Sequence, residues 1–159
     1  MTRVRVQEAD FDISAEVAAL RADNPKVGAV ACFIGTVRDL NEGRAVETME
    51  LEHYPGMTEK SLQKIADDAR ERWPGSDVLI VHRVGKLLPL DQIVLVATTA
   101  AHRGEAFESC AFVMDYLKTQ APFWKKEKTG NGEKWVDARE SDDAALTRWD
   151  LKPPKGTGA

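Results

Sequence analysis

Val78-Leu79-Ile80-Val81-His82-Arg83-Val84-Gly85-Lys86-Leu87-Leu88-Pro89-Leu90-Asp91-Gln92-Ile93-Val94-Leu95-Val96-Ala97-Thr98-Thr99-Ala100 decides the fold. Val78 to Val84 and Gln92 to Ala100 are apolar, β-branched runs of strand length. Gly85 and Pro89 punctuate the short link between them, so the two strands adjoin by a hairpin-like connection. Antiparallel pairing follows, and with it a class other than the doubly wound one.

Downstream, His102-Arg103-Gly104 ends the second strand and opens a helix that stops near Gln120-Ala121-Pro122. Phe107, Cys110, Ala111, Met114 and Leu117 form its apolar stripe. Phe123 to Lys128 and Lys134 to Ala138 read as a hairpin around Thr129-Gly130-Asn131-Gly132, because Asn-Gly favours a tight turn. Ser141 caps a last short helix through Trp149, and the Pro- and Gly-rich Lys152 to Ala159 reads as a disordered tail.

Upstream, Pro55-Gly56 turns the chain into a helix with Leu62, Ile65, Ala66, Ala69 and Trp73 at helical spacing, ended by Pro74-Gly75. Val46 to Tyr54 is a strand with Met49 and Leu51 on one face and Glu50 and Glu52 on the other. Asp39 to Gly43 is a polar loop. Val27 to Val37 reads as a mostly buried strand, with Gly28 and Gly35 marking bulges or close backbone approach. Arg3 to Gln7 is a short strand, Ser14 caps a helix through Arg21, and Asn24-Pro25 is a turn. The expectation is one α+β domain over residues 1–150 with a mainly antiparallel sheet and two main helices, followed by the tail at 151–159.

Composition narrows the function. The 159 residues are 43% hydrophobic, enough for one core, and the net charge of -4 makes no case for a general nucleic-acid binder. Local basic clusters still leave room for an anionic small molecule. No apolar run approaches the ~20 residues that cross a bilayer, and the N-terminus has no signal-peptide core, so a cytoplasmic protein is expected. Cys32 and Cys110 belong to no CxxC pattern and read as small core residues. His53, His82 and His102 have no metal-ligand spacing, so neither metal nor cofactor is expected.

What remains is positive charge at the ends of elements. Lys118 falls on the apolar stripe, four residues after Met114, and either snorkels to solvent or occupies a pocket. His102 and Arg103 stand at a helix N-terminus, where free N–H groups and a guanidinium can grip an anion; the alternative is an exposed arginine beside a capping histidine. Arg38 closes an apolar strand or is simply a solvated strand end. Phe123, Lys125 and Glu127 share one face of an extended segment, and Trp124, Lys126 and Lys128 share the other. Only one of Lys125 and Lys126 can then enter a pocket; a solvated edge strand is the other reading. Together Arg38, His102, Arg103, Lys118 and one of these lysines would suit a phosphorylated or carboxylated substrate. A lysine crowded by cations has a lowered pKa and can serve as base or nucleophile.

Several longer stretches resemble one family. They are Phe33 to Arg38 (FIGTVR), Leu51 to Glu59 (LEHYPGMTE), His82-Arg83-Val84-Gly85, Ala101-His102-Arg103, Asp115 to Glu127 (DYLKTQAPFWKKE) and Trp135-Val136-Asp137-Ala138-Arg139. Over roughly Gly28 to Trp149 the chain is similar to the large, catalytic subunit family of molybdopterin synthases. The resemblance implies an α/β-hammerhead-type fold, and transfer of two sulfurs to cyclic pyranopterin monophosphate to form the molybdopterin dithiolene. It also implies a sulfur donor: the C-terminal Gly-Gly thiocarboxylate of a small ubiquitin-like subunit. The implied assembly is a homodimer of large subunits within a heterotetramer. By the same resemblance Lys118 and Lys125 match the two active-site lysines, one beside the thiocarboxylate and one on the pterin side. Arg38, His102 and Arg103 match substrate-pocket positions. Thr36, Val37, Lys126 and Glu127 lie in matched pocket segments, and Arg139 would reach a neighbouring subunit's site. Two positions depart from the pattern. Leu90 stands where a glycine is expected, and Thr36 where relatives carry a lysine. A non-catalytic module holding a ubiquitin-like partner or an anion is the competing reading; a nucleotide-binding regulatory domain lacks a phosphate loop.

Overall fold

The computed structural model describes residues 3–41, 43–130, 132–136 and 146–149. Along the chain run β1 (Val4–Gln7), α1 (Ile13–Arg21), β2 (Ala29–Thr36), β3 (Leu40–Asn41), β4 (Arg44–His53), α2 (Met57–Arg72), β5 (Asp77–Arg83), β6 (Gly85–Leu87), β7 (Gln92–Ala100), α3 (Arg103–Gln120), β8 (Phe123–Thr129) and β9 (Gly132–Val136). The α+β expectation holds. One sheet has the order β1-β5-β7-β2, with β1 parallel to β5 and the other pairs antiparallel. The second runs β3-β4-β8-β9, and β6 also pairs with β4.

Period-two burial on the central strands explains the layering. Val78, Ile80, Val94 and Val96 point to the face covered by α2 and α3, where they meet Leu62, Ile65, Ala66, Ala69, Cys110, Val113, Met114 and Leu117. Leu79, Val81, Leu95 and Ala97 point the other way, to Phe11 and to Leu20 of α1. A third, smaller core of Val37, Met49, Leu51, Val84 and Leu87 ties the second sheet to the first. The link decisive for the fold is more than a hairpin loop. Gly85, at φ +88, lets the chain leave β5 and enter the second sheet as β6 before β7 returns to the first.

Several local expectations change. Asp12, not Ser14, caps α1: its Oδ1 accepts from the N–H of Ala15 at 2.9 Å, and Ser14 lies inside the first turn. The polar Asp39–Gly43 loop carries the short strand β3, which pairs back on β4. The apolar Val27–Val37 run is an edge strand, so Ala31 is buried while Cys32 and Phe33 are exposed. Cys110 is a buried core thiol as expected, and burial pushes its pKa up to about 11; Cys32 is not a core residue. The α3 stripe is also rotated. Ala106, Cys110, Val113 and Leu117 are buried, whereas Phe107 is exposed. Packing against three neighbours, β7, β2 and α2, selects this face, and apolarity alone cannot.

The expected close approach at Gly35 is present. A bulge separates Gly35 from Thr36 in the β2–β7 register, and a Cβ on Gly35 would lie 2.9 Å from Val94 Cγ1. At the chain's end, Thr147–Trp149 forms a 3-10 turn in place of the expected helix end. Trp149 Nε1 donates to Asp115 at 2.6 Å, and its ring lies edge-on to Trp73 and Phe112. The Ser141 cap, the hairpin arm at 137–138 and the 151–159 tail lie outside the described residues.

Leu90 occupies a costly conformation. The N–H of Asp91 donates to the Leu88 carbonyl at 3.0 Å, Pro89 is the first central residue, and Leu90 follows at φ +79. That is a type II turn, whose second central position favours glycine. Leu90 is 89% exposed, so its side chain contributes little burial. Leu90→Gly should raise stability by roughly 0.5–1 kcal/mol, relief of the left-handed strain being partly offset by glycine's unfolded-state entropy. Urea denaturation checks this; an unchanged midpoint contradicts it.

Candidate active site

The end of α3 and the start of β8 meet over a two-residue link, Ala121-Pro122. Pro122 breaks the helix and is fixed from outside. The hydroxyl of Thr58, fully buried, donates to the Pro122 carbonyl at 3.0 Å and accepts from the N–H of Tyr54 at 2.9 Å. The β4–α2 corner therefore clamps the joint that separates Lys118 from Lys125. Sequence reading assigned Thr58 no role; its only signal was its place in the LEHYPGMTE stretch.

Lys118 lies on the last turn of α3 and is exposed, one position beyond buried Leu117. It stands beside the buried stripe, not on it. Lys125 is on the inner face of β8, between Phe123 and Glu127 and opposite Leu51 of β4. Its Nζ is 3.7 Å from Oε1 of Glu127, a carboxylate buried at this joint. Lys126 takes the outer face with exposed Trp124 and pairs with Glu133 at 2.9 Å. Glu133 foremost, then Glu50 and Glu52, holds the Lys126 pKa above the ordinary lysine value. The face alternation read from sequence thus separates the two lysines.

Arg38 follows β2 at the same end of the first sheet, since Thr36 pairs with Gln92, the first residue of β7. Thr36 and Arg38 are exposed. Val37 is buried in the third core, its N–H donates to the Asp91 carbonyl at 3.0 Å, and its own carbonyl accepts from Leu90 at 2.9 Å. With side chain and backbone both engaged, Val37 anchors Arg38 and has little left to offer a ligand.

His82, on β5, also belongs here, although sequence reading gave it no role beyond its motif. It is buried, its ring stacks on Phe123 with centroids 3.8 Å apart and planes tilted 17°, and Nδ1 is 2.8 Å from the Arg83 carbonyl. Burial pushes its pKa down to about 4, helped by the charges of Lys118 and His53 and opposed by the Arg83 carbonyl.

His102 and Arg103 are elsewhere. His102 is the N-cap of α3 and Arg103 its first residue, both exposed, with no side-chain cap bond from the histidine. From Arg103 to Lys118 the helix rises roughly 22 Å. Within one chain the expected five-residue cationic pocket is therefore split: Arg38, Lys118 and Lys125 at one end of α3, His102 and Arg103 at the other. Arg139 lies outside the described residues. Among the described residues no cluster of His, Cys, Asp or Glu could hold a metal ion, and no helix is long and apolar enough to cross a membrane.

Chemically, the joint joins two lysines and an arginine to a buried carboxylate and a neutral imidazole. It can bind an anion, stabilise developing negative charge and transfer protons. Comparison with known proteins points the same way. A family model described as MoaE protein matches residues 6–120. The molybdopterin synthase catalytic subunit of Ralstonia nicotianae is 62% identical over all of this chain and 90% of its own length. The solved molybdopterin biosynthesis MoaE protein of Burkholderia ambifaria is 71% identical, with a TM-score of 0.82 over 95% of this chain and 99% of that one. Molybdopterin synthase from Staphylococcus aureus superposes with a TM-score of 0.81 at 34% identity, over 86% of this chain and 98% of that one.

Proposed function

The chain belongs to the MoaE protein family and is a sulfur-transferring enzyme of molybdenum cofactor biosynthesis, and from that premise we propose that Lys118 and Lys125 carry its chemistry. The sulfur comes from the C-terminal thiocarboxylate of a small ubiquitin-like subunit and goes to cyclic pyranopterin monophosphate, forming the dithiolene of molybdopterin. Both reactants are anionic, which suits an anion-binding joint with two lysines. The observation that carries the reading is the placement of Lys118 and Lys125 on either side of one clamped link.

The thiocarboxylate sulfur bonds to a pterin carbon as a carbon–oxygen bond at that carbon breaks and the departing oxygen takes up a proton, and water then cleaves the sulfur's bond to the acyl carbon. Sulfur stays on the pterin and the carrier leaves as a carboxylate. Lys118 sits beside the acyl group and stabilises the oxyanion formed there. Lys125, close to Glu127, serves the pterin side as proton donor or electrostatic partner. Arg38 holds the cyclic phosphate. Thr36 and Glu127 line the same end, and Lys126, paired outward, assists from the rim. The reaction takes place in the cytoplasm, with two large subunits at the centre of the assembly and one carrier at each far end.

The split of the cationic residues fits this dimer. His102 and Arg103 of one subunit serve the site of the other, since roughly 22 Å of helix keeps them from their own. Mixing Lys118→Ala with Arg103→Ala subunits tests this. A mixed dimer then holds one doubly altered site and one intact site, so random mixing, assayed at pterin too dilute to fill an Arg103→Ala site, should restore turnover at about one site in four. No restoration would place Arg103 in its own subunit's site. Arg103→Ala alone should mainly weaken pterin binding, and unchanged affinity counts against its role. The reaction itself is tested by single turnover with a thiocarboxylated carrier and cyclic pyranopterin monophosphate; absence of dithiolene product with the carrier still bound would favour the non-catalytic binding module.

A further inference from the structure

β2 is an edge strand that its own sequence does not protect. Ala29–Thr36 (AVACFIGT) carries no charge, and among the described residues it pairs only with β7. Solvent-facing edges are ordinarily blocked by lysine, proline or a bulge in mid-strand. Here the bulge comes at the far end, between Gly35 and Thr36. Cys32 and Phe33, in the middle, are exposed. α1 packs mainly on β5 and β7, so the Cys32 face of β2 is left open.

On the opposite face α3 lies over β7 and β2, with α2 along one flank. Glu108 and Phe112 mark that flank, where they meet Trp73. At 3.6 residues per turn, Arg103, Phe107, Ala111 and Lys118 then fall on the other flank, which overhangs the β2 edge. Phe107 is 66% exposed there. The Thr98 hydroxyl donates to the Ala106 carbonyl at 2.7 Å, which sets the helix over the strand. The midpoint between Arg103 and Lys118, at Cys110–Ala111, lies roughly 7 Å further along α3. Two strand residues cover the same distance, from Thr98 to Val96, and Val96 pairs with Phe33. Phe33 also stands at the middle of β2.

We propose that the β2 edge and this flank of α3 form the face on which two copies of the chain meet, with the two-fold axis near Phe33. The inference rests on the reading above that Arg103 of one subunit serves its partner's site. β2 pairs antiparallel with its copy and joins two four-stranded sheets into one. Strands stand about 4.8 Å apart, so helices centred between β7 and β2 come about 10 Å from each other, the ordinary helix–helix distance. The two α3 helices then run antiparallel on one side of the joined sheet. Ala111 leaves room at the middle, and Phe107 of each copy packs beside it. Each Arg103 stands across from the partner's Lys118, because the two are equally far from the axis. Two facing cations make a place for an anion, and both reactants are anionic.

Cys32 supplies the test in the full chain. It is one of two cysteines, and the other, Cys110, is buried. With the axis near Phe33, the two Cys32 side chains share the open face of the joined sheet, within about 8 Å of each other. A short bismaleimide should link the subunits into a covalent dimer, with a yield independent of protein concentration. Cys32→Ser should abolish the link. Phe107→Glu, at an exposed position, should keep a cooperative melt yet weaken dimerisation at least about a hundredfold, read by sedimentation. No crosslink in the wild-type chain, or a Phe107→Glu chain that stays dimeric, overturns the proposal. The mixed Lys118→Ala and Arg103→Ala dimers separate it from the reading beneath it. With turnover restored there, either failure removes this face alone; without it, the shared site falls as well.

Discussion

Lys118→Ala should all but stop sulfur transfer and leave the fold standing. Lys118 is exposed on the last turn of α3, so truncation opens no cavity. Alanine has the highest helix propensity, and the lost favourable cation at a helix C-terminus costs less than about 1 kcal/mol. The chemistry suffers far more, because a positioned lysine that stabilises an oxyanion or moves a proton contributes about 10²- to 10⁴-fold to rate. The single-turnover rate should fall by that factor while the melting curve keeps its cooperativity. Lys118→Arg sharpens the result. Arginine retains the charge but cannot give up its proton near neutral pH. A rate close to wild type in Lys118→Arg would mean that Lys118 acts by charge; a rate as low as in Lys118→Ala would mean that it acts by proton or electron-pair transfer. Wild-type turnover in Lys118→Ala would remove Lys118 from the mechanism.

The second large effect is loss of stability in mild acid through His82. The folded chain keeps this ring neutral down to a pKa of about 4, against 6.5 for the free side chain. Between those values the unfolded chain binds a proton that the folded chain refuses. Stability therefore falls as pH drops from 6.5 towards 4 and is untouched by His82 above that window. The whole window is worth about 3 kcal/mol on the order of magnitude, a large share of a small domain's stability. Urea unfolding of wild type and His82→Phe at pH 7.5, 5.5 and about 4.5 measures it. Carboxylates contribute nearly equally to both, so the difference between the two slopes belongs to His82. His82→Phe should start less stable, having lost its hydrogen bond to Arg83, and then lose less as the pH falls. Parallel slopes would mean that the folded ring takes up its proton at the ordinary value.

Much of the site was legible residue by residue. Period-two alternation put Lys125 on the inner face of β8 and Lys126 on the outer, and the Lys126–Glu133 pair is the outward arrangement. Pro122 marked the helix end, and Gly35 marked the bulge before Arg38. The face of α3 was harder. Apolar spacing gave a stripe through Phe107 and Lys118, whereas the buried set is centred on Ala106, Cys110, Val113 and Leu117. The helix is apolar over much of its circumference, so β7, β2 and α2 choose which side to cover. Cys32 misled for a related reason: apolar alternation does not reveal whether a strand is central or an edge. His82 and Thr58 carried no signal outside their motifs, because their roles depend on Phe123 and Pro122, 41 and 64 residues away.

By itself the sequence determined the order of elements, the α+β class, the family resemblance and the segments that carry positive charge. Each of these rests on local periodicity, turn chemistry or an unbroken motif, which neighbours along the chain suffice to set. Only the tertiary structure decided that Lys118 stands exposed beside the buried stripe, that Gly85 carries the chain between sheets, and that His82 lies neutral under Phe123. It also decided that Arg103 stands a helix length from the lysine it was expected to join. A helix is a rigid rod, and spacing along it fixes a residue's angle about the axis. Which other elements each of its ends meets is settled by packing between segments far apart in the chain, and that information is not local.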